Sequence, residues 1–447
     1  MIKLSNFRNK HFLALAGNLV ISFFSVMNMS LLYRSLNKIE VGSWFFFLSF
    51  FGLADAFRSG FLATATVKFY AGSEAKRGKS VLGSVWFIAA IITISVLLLN
   101  LLVWLFLIYT QSPQFIIVTK WIGITFLSSL PFAVGVWILM ADERYGVILL
   151  LRLINTGSMF VIIAVLLFLH KMNLENLFIL NIVTYIFAAI FLLWKKILKF
   201  KSIFSLNKNV LFEIFQFGKY SLGSNISAIL FKNADNFIIT FLLGPAALAI
   251  YNLPCRLMEM IEIPLRSFIG TGMSAMAKAM NKNNKEELLY VFKKYAGMLT
   301  FAIIPIVFCG IVFADLAVTI LGGAKYQGTE AANIFRVFIF FSLLFPIDRF
   351  NGVALDMLHL PKINLQKVLI MLSFSIIGNL LAIYFFKSLY GVAFASPVVI
   401  ISGLFFGNYY LKKHLKYTLK DILVTGLFES KLIINKTISS FQKSSNN

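Results

Sequence analysis

Long apolar runs dominate this chain, interrupted at fairly even spacing by short stretches rich in Lys, Arg, Gly and Pro. Runs such as Val81–Tyr109 and Val147–Leu169 exceed the roughly 20 residues a helix needs to cross a bilayer. Reading such windows predicts twelve spans, at 11–33, 42–66, 81–109, 115–139, 146–169, 174–194, 214–243, 246–275, 295–320, 331–357, 363–386 and 390–411. The long second, seventh and eighth windows are expected to extend beyond the hydrocarbon core. The expectation is an all-α, polytopic membrane protein.

Composition agrees. Of 447 residues, 59% are hydrophobic and 13% charged, with a mean hydropathy of +0.85. Soluble domains carry nearer 25% charged residues. The net charge of +23 would suit a nucleic-acid binder, but the placement of the cations excludes that reading. Lys3, Arg8 and Lys10 precede span one; Lys76, Arg77 and Lys79 follow span two; Arg144 follows span four. Lys195, Lys196, Lys199, Lys201 and Lys208 follow span six, and Lys278, Lys282, Lys285, Lys293 and Lys294 follow span eight. Lys362 and Lys367 follow span ten, and Lys412, Lys413 and Lys416 follow span twelve. The intervening loops hold far fewer: Arg34, Lys38, Lys171, Lys325 and Lys387. By the positive-inside rule both termini are expected in the cytoplasm of a multi-pass protein. The first run lacks a small-residue cleavage site and reads as an uncleaved span. Cys255 and Cys309 lie within apolar windows and imply no disulfide framework, and His11, His170, His359 and His414 show no metal-ligand spacing.

The basic segment from Lys195 to Lys208 divides the windows into two sets of six, giving lobes at 1–200 and 201–411. A faint internal match at an offset of about 207 pairs Asn18 with Asn225, Val41–Trp44 with Leu248–Tyr251, and Asp55 with Glu262; Arg58 falls one place from the partner of Arg266. Transporters are often built from such repeats, with substrate held where they meet. Residues 412–447 mix Lys with Ile422, Leu423, Leu427, Phe428, Leu432 and Ile433. That pattern predicts a basic amphipathic cytoplasmic helix on the anionic inner leaflet.

Ionisable residues inside the spans carry the functional signal, because a charge at bilayer depth costs at least a few kcal/mol and marks a polar pathway. Span eight holds Arg256, Glu259, Glu262 and Arg266 within about a third of a helical circumference. Glu262 and Arg266 stand i,i+4 with the acid first, the favoured order for a pair. Span seven carries Lys232 and Asp235 on a stripe with Ser221, Asn225 and Asn236, and its short turn through Gly244 and Pro245 sets Asp235 and Arg256 at similar depth. Span two adds Asp55 and Arg58; span ten adds Asp348, Arg349 and Asp356, of which Arg349 and Asp356 share a face. Pairs of this kind can simply neutralise one another within a bundle. Their recurrence in four spans points instead to a polar interior with cations at several depths, suited to an anionic substrate. Arg336 and Asp315 read as anchors near the outer boundary.

Among the motifs sought, no phosphate loop, HExxH or nucleophile elbow is found, so an enzyme is not expected. The residues do resemble a known family. Asn233-Ala-Asp-Asn-Phe-Ile-Ile, then Leu242-Leu-Gly-Pro-Ala-Ala-Leu-Ala-Ile-Tyr with Arg256 shortly after, are similar to the oligosaccharide flippases of the multidrug/oligosaccharidyl-lipid/polysaccharide exporter superfamily. Gly322-Gly-Ala-Lys-Tyr326, Ala331-Ala-Asn-Ile-Phe and Tyr390-Gly-Val-Ala-Phe-Ala extend the likeness. Where family members often place an Arg beside the span-seven acid, this chain has Asn233 and Asn236 with Lys232 nearby.

The resemblance implies two six-helix lobes around a central cationic cavity. It implies transport of undecaprenyl-pyrophosphate-linked oligosaccharide units from the cytoplasmic to the periplasmic leaflet of a bacterial inner membrane, for O-antigen, capsule or exopolysaccharide, alongside polysaccharide assembly proteins. On that reading Arg58, Lys232, Arg256, Arg266 and Arg349 bind the pyrophosphate. Asp55, Asp235, Glu259, Glu262 and Asp356 balance charge or couple to H+ or Na+. No cofactor, metal or nucleic acid is implied. The rival readings are a cation-coupled drug exporter with an acidic, aromatic cavity, a peptidoglycan-precursor flippase, and a membrane polymerase or ligase, which would need a large outer loop.

Overall fold

In the computed structural model, residues 10–110 and 113–445 are described, and helices are their only regular secondary structure. Lys3 and Arg8 lie outside them, as do the side chains of Lys10, His11 and Asn18. The chain forms two compact units, Met1–Ala249 and Ile250–Asn447.

The first unit contains α1 (Lys10–Ser35), α2 (Lys38–Tyr70), α3 (Ala75–Tyr109), α4 (Pro113–Ser128), α5 (Leu130–Ala141), α6 (Tyr145–Phe168), α7 (Leu174–Trp194) and α8 (Lys208–Leu243). Local chemistry sets the boundaries. Asn37 and Glu40 form a reciprocal capping box at the start of α2, at 2.9 and 3.0 Å. Asn207 caps α8, and Gly244, at φ 87°, ends it just before Pro245. The expected fourth span is a bent pair: α4 and α5 meet at 42° around Ser129. Pro131 cannot donate to the preceding turn, so the ladder breaks there. The core gathers Val85, Trp86, Trp137, Leu192 and Leu198. Helix α8 lies close along α2; a Cβ on Gly60 would come within 2.7 Å of Asn225 Cβ, and Asn236 Nδ2 donates to Ser49 Oγ at 2.9 Å.

The second unit holds α9 (Pro245–Asn281) from Ile250 onward, then α10 (Lys285–Val312), α11 (Ala314–Gly322), α12 (Ala331–Phe341), α13 (Phe345–Met357), α14 (Pro361–Phe386), α15 (Leu389–Lys412) and α16 (Leu419–Ser445). One expected span changes here. The window 295–320 divides: α10 begins at Lys285, where Asn284 accepts from the Glu287 amide at 2.9 Å, and its end at Val312 leaves α11 separate. The window 331–357 stands as one span of 27 residues, with a 3-10 turn at Ser342–Leu344 inside it, just before Pro346. Lys367, read in the sequence as a loop cation, is buried inside α14.

Among the described residues nine helices are long and apolar enough to cross a membrane, or ten with the bent pair as one span. Helix α9, at 37 residues, is long enough but carries four charges between Arg256 and Arg266. Helices α2, α8 and α9, at 33, 36 and 37 residues, outrun a hydrocarbon core of about 30 Å, since a helix rises about 1.5 Å per residue.

The tail is more tightly held than the sequence suggests. Ile422, Gly426 and Glu429 form a buried stripe on α16 that packs on α10. Gly297 and Gly426 let the backbones touch: a Cβ on Gly297 would lie 2.2 Å from the Ile422 carbonyl oxygen. Glu429 pairs with Lys294 at 2.5 Å and accepts from the Tyr290 hydroxyl. Leu423, Leu427 and Phe428 on the other face stay exposed.

Candidate functional site

The charged face of α9 is the centre of the second unit's polar chemistry. Arg256 Nη1 donates to Glu259 Oε2 at 2.6 Å, one turn apart. Arg266 Nη2 donates to Glu262 Oε2 at 2.8 Å, as the acid-first spacing predicts. The other oxygen of Glu262 faces Arg349 Nη2 from α13 at 4.0 Å. One carboxylate thus stands between two guanidiniums from different helices. At 4.0 Å the Arg349 contact is an ion pair without a hydrogen bond. The side chain of Glu262 is 22% exposed, while those of Arg266 and Arg349 are 69% and 57% exposed. On this face three arginines stand with two glutamates.

These acids also line a cavity of about 230 Å³ with Tyr251, Met258, Phe338 and Phe345. Ligand pockets run from roughly 300 Å³ upward, so it is too small for a drug-sized molecule. The open chemistry therefore lies on the arginines.

The first unit's pair is different. Arg58 is fully buried on α2. Its Nη2 donates to Asp55 Oδ1 and Ser129 Oγ, each at 2.8 Å. Its Nη1 donates to the Phe126 carbonyl at 3.1 Å and to Thr93 Oγ1 at 3.5 Å, and the guanidinium lies 4.1 Å from the Phe126 ring centre. These acceptors cluster at the α4–α5 bend, where a broken helix leaves backbone groups that must be satisfied inside the protein. The sequence places Arg58 among the pyrophosphate ligands. Here it is enclosed, and its donors go to the bend.

Lys232 is exposed on α8 and Asp235 half-buried, both in the first unit; Arg256 belongs to the second. Asp356 does not join Arg349 on a common pair. Both of its oxygens accept from Asn364 Nδ2 at 3.0 Å, bracing the α13–α14 turn. Arg336 and Asp315 pair with each other, and Arg336 also donates to the Ile311 carbonyl at 3.3 Å.

Sequence reasoning missed one partnership. Lys367 Nζ sits 2.6 Å from Asp348 Oδ1 and donates to the Asp348 carbonyl at 2.8 Å. Both side chains are nearly buried, at 4% and 11% exposure. Beside them Asn351 Nδ2 donates to Asn408 Oδ1 at 3.3 Å, which also accepts from Tyr417 at 2.6 Å. An intramembrane Lys six residues into a helix was the available signal, and its position beside a basic loop hid it.

The described residues build a multi-pass, helical membrane architecture of two compact units. Solved structures share it. An inward-facing multidrug resistance MATE family transporter of the MOP superfamily aligns with a TM-score of 0.70 at 13% identity, covering 89% of this chain and 96% of that one. The lipid II flippase MurJ, in an inward closed conformation, aligns at 0.69 and 15% identity, covering 95% and 92%. A MOP superfamily transporter from Pyrococcus furiosus, described as having a binding pocket of reverse polarity, aligns at 0.57 and 15%, covering 91% and 97%. At these identities the likeness is one of fold: two lobes and about twelve helices. No curated protein matches the sequence significantly. The profile of the family described as "Polysaccharide biosynthesis protein" matches residues 31–331, well over half of the chain, and the chain belongs to that family.

Proposed function

We propose that this protein moves an undecaprenyl-pyrophosphate-linked oligosaccharide from the cytoplasmic to the outer leaflet of a bacterial inner membrane, by alternating access of two lobes. The observation that carries the reading is Glu262 between the exposed Arg266 and Arg349. A pyrophosphate can displace the shared carboxylate and take both guanidiniums, each offering a planar donor fork. Glu262 then holds the arginines in place before substrate arrives and re-forms the pairs after it leaves. Glu259 does the same for Arg256. Moving the anion outward is electrically downhill, by about 2.3 kcal/mol per charge per 100 mV. Lys232 and Asp235 on α8 remain candidates for binding and for H+ or Na+ coupling. The family and the two-lobed fold support transport in polysaccharide assembly, and the likeness to MurJ, a lipid II flippase, supports a lipid-linked cargo. The exposed apolar face of α16 and nearby Lys412, Lys413 and Lys416 suit the anionic leaflet.

Deletion followed by extraction of lipid-linked intermediates tests the reading. Complete, unpolymerised repeat units are expected to accumulate on the inner leaflet; unchanged intermediates would overturn it. Arg266→Ala, Arg349→Ala and Arg256→Ala are each expected to insert at normal levels, and the doubly substituted R266A/R349A chain to lose complementation. A second reading, a drug exporter, draws on the fold shared with a multidrug resistance transporter. Increased drug sensitivity on deletion, with normal surface polysaccharide, would favour it.

A further inference from the structure

One cavity of the first unit lies away from every ion pair described above. It measures about 820 Å³ and is walled by the turn after α2 and the connection between α7 and α8. Lys79, Lys196, Lys199 and Lys201 line it with the Ser73 and Ser205 hydroxyls, against the single acid Asp142. No described carboxylate forms an ion pair with any of the four lysines. Four cations held around one concave space with a single acid among them repel one another, and an anion relieves that repulsion.

The walls are built rather than incidental. Trp86 Nε1 donates to the Leu198 carbonyl at 3.1 Å, tying the connection to α3. A Cβ on Gly83 would come 2.4 Å from the Ser202 carbonyl oxygen, so the strap can lie directly on α3. Lys196 and Lys199 turn the chain at φ 53° and 46°, and Lys199 Nζ hydrogen-bonds the Tyr70 hydroxyl. Tyr70 and Phe200 give the cavity an aromatic rim, and Trp194 and Phe204, next in sequence to the lining residues Leu193 and Ser205, are 72% and 92% exposed. Exposed aromatics beside lysines are the signature of the membrane–water interface. Charge placement along the chain assigns these loops to the cytoplasmic face.

We propose that this cavity binds the phosphate-bearing headgroup of an anionic phospholipid drawn from the leaflet beside it. The lysines and serines take the phosphate, and the aromatic rim meets the glycerol and upper acyl chains. A basic pocket between membrane helices on the cytoplasmic side is a recurrent lipid-headgroup site. The apolar rim favours a lipid over free phosphate, which would gain nothing from it.

The test uses the full-length protein in phosphatidylcholine nanodiscs with and without phosphatidylglycerol, read by native mass spectrometry and thermal unfolding. The wild type is expected to retain phosphatidylglycerol and unfold at a higher temperature with it. K79Q/K196Q/K201Q is expected to weaken retention by at least about tenfold. K278Q/K285Q/K362Q, which removes the same charge from exposed positions of the second unit, is expected to leave retention unchanged. Ser205→Trp fills the cavity while keeping every lysine and is expected to lose retention as well. Equal loss in both triple variants, full retention in S205W, or displacement of the lipid by inorganic pyrophosphate would each overturn the proposal.

Discussion

Asp55–Arg58 in α2 and Glu262–Arg266 in α9 are the same local device, an acid followed one turn later by an arginine. Their surroundings make them opposites. Arg58 is closed in by α3, α4 and the bend at Ser129, and its donors satisfy backbone and hydroxyl oxygens. Arg266 keeps most of its surface open, and its acid is shared with a second arginine from α13. A guanidinium with all directions blocked is a structural tie. One with a single hydrogen bond and free donors can exchange its carboxylate for a ligand's phosphate. On the proposed reading, burial, not sequence spacing, separates the two roles.

The sharpest way to break the comparison is to remove each arginine. Arg58→Ala strands the carbonyl at the bend and the partly exposed Asp55, and should cost about 3 kcal/mol, the low end for one partner of a buried pair. Arg58→Lys should not restore it, since an ammonium cannot span the same acceptors. Arg266→Ala should change stability by no more than about 1 kcal/mol, as exposed pairs do. Equal melting temperatures for the two alanine variants in detergent would erase the distinction.

The second unit has its own tie in Lys367–Asp348, so Lys367→Met should destabilise by about 3 kcal/mol or more. Adding Asp348→Asn should recover most of that loss, because no unpaired charge is then buried. Gly297→Val drives a side chain into the Ile422 carbonyl and should cost about 1–3 kcal/mol as overpacking. The readout is faster proteolysis of α16 while the spans stay protected. The smallest effect concerns pH. Thr418 donates its backbone N–H, at 2.7 Å, to the Asp421 carboxylate at the start of α16, and its hydroxyl accepts the Asp421 N–H at 3.2 Å. The Thr418 hydrogen bonds hold that carboxyl below its ordinary value, about 3.9. A lowered folded-state value stabilises above the unfolded value and loses that contribution as pH falls through the folded one. Amide exchange at the first turn of α16 should therefore rise below about pH 4 and stay flat above it.

Much of this was legible in the linear chain. Apolar runs longer than a bilayer crossing dictate helices, because lipid leaves backbone groups no partner but their own segment. The i,i+4 spacing of Glu262 and Arg266 fixed that pair before any tertiary contact. Less legible were the breaks: Pro131 and Pro346 were visible, but their effect on spans four and ten depended on what could satisfy the freed backbone. Arg349 was visible as a cation within an apolar window, yet its choice of Glu262 over Asp356 required α13 to lie against α9. Lys367 stood too near a basic loop to be recognised as a buried partner.

The sequence alone therefore determined the class of protein, its helical content and the local ion pairs, since these follow from composition and from distances of one helical turn. The tertiary structure decided which arginines are enclosed, which carboxylate is shared, and where four lysines surround one cavity. Those outcomes depend on segments far apart in the chain. A cation's role in a membrane protein is set by which neighbours exclude water and ligand from it, and no spacing along a single helix records that.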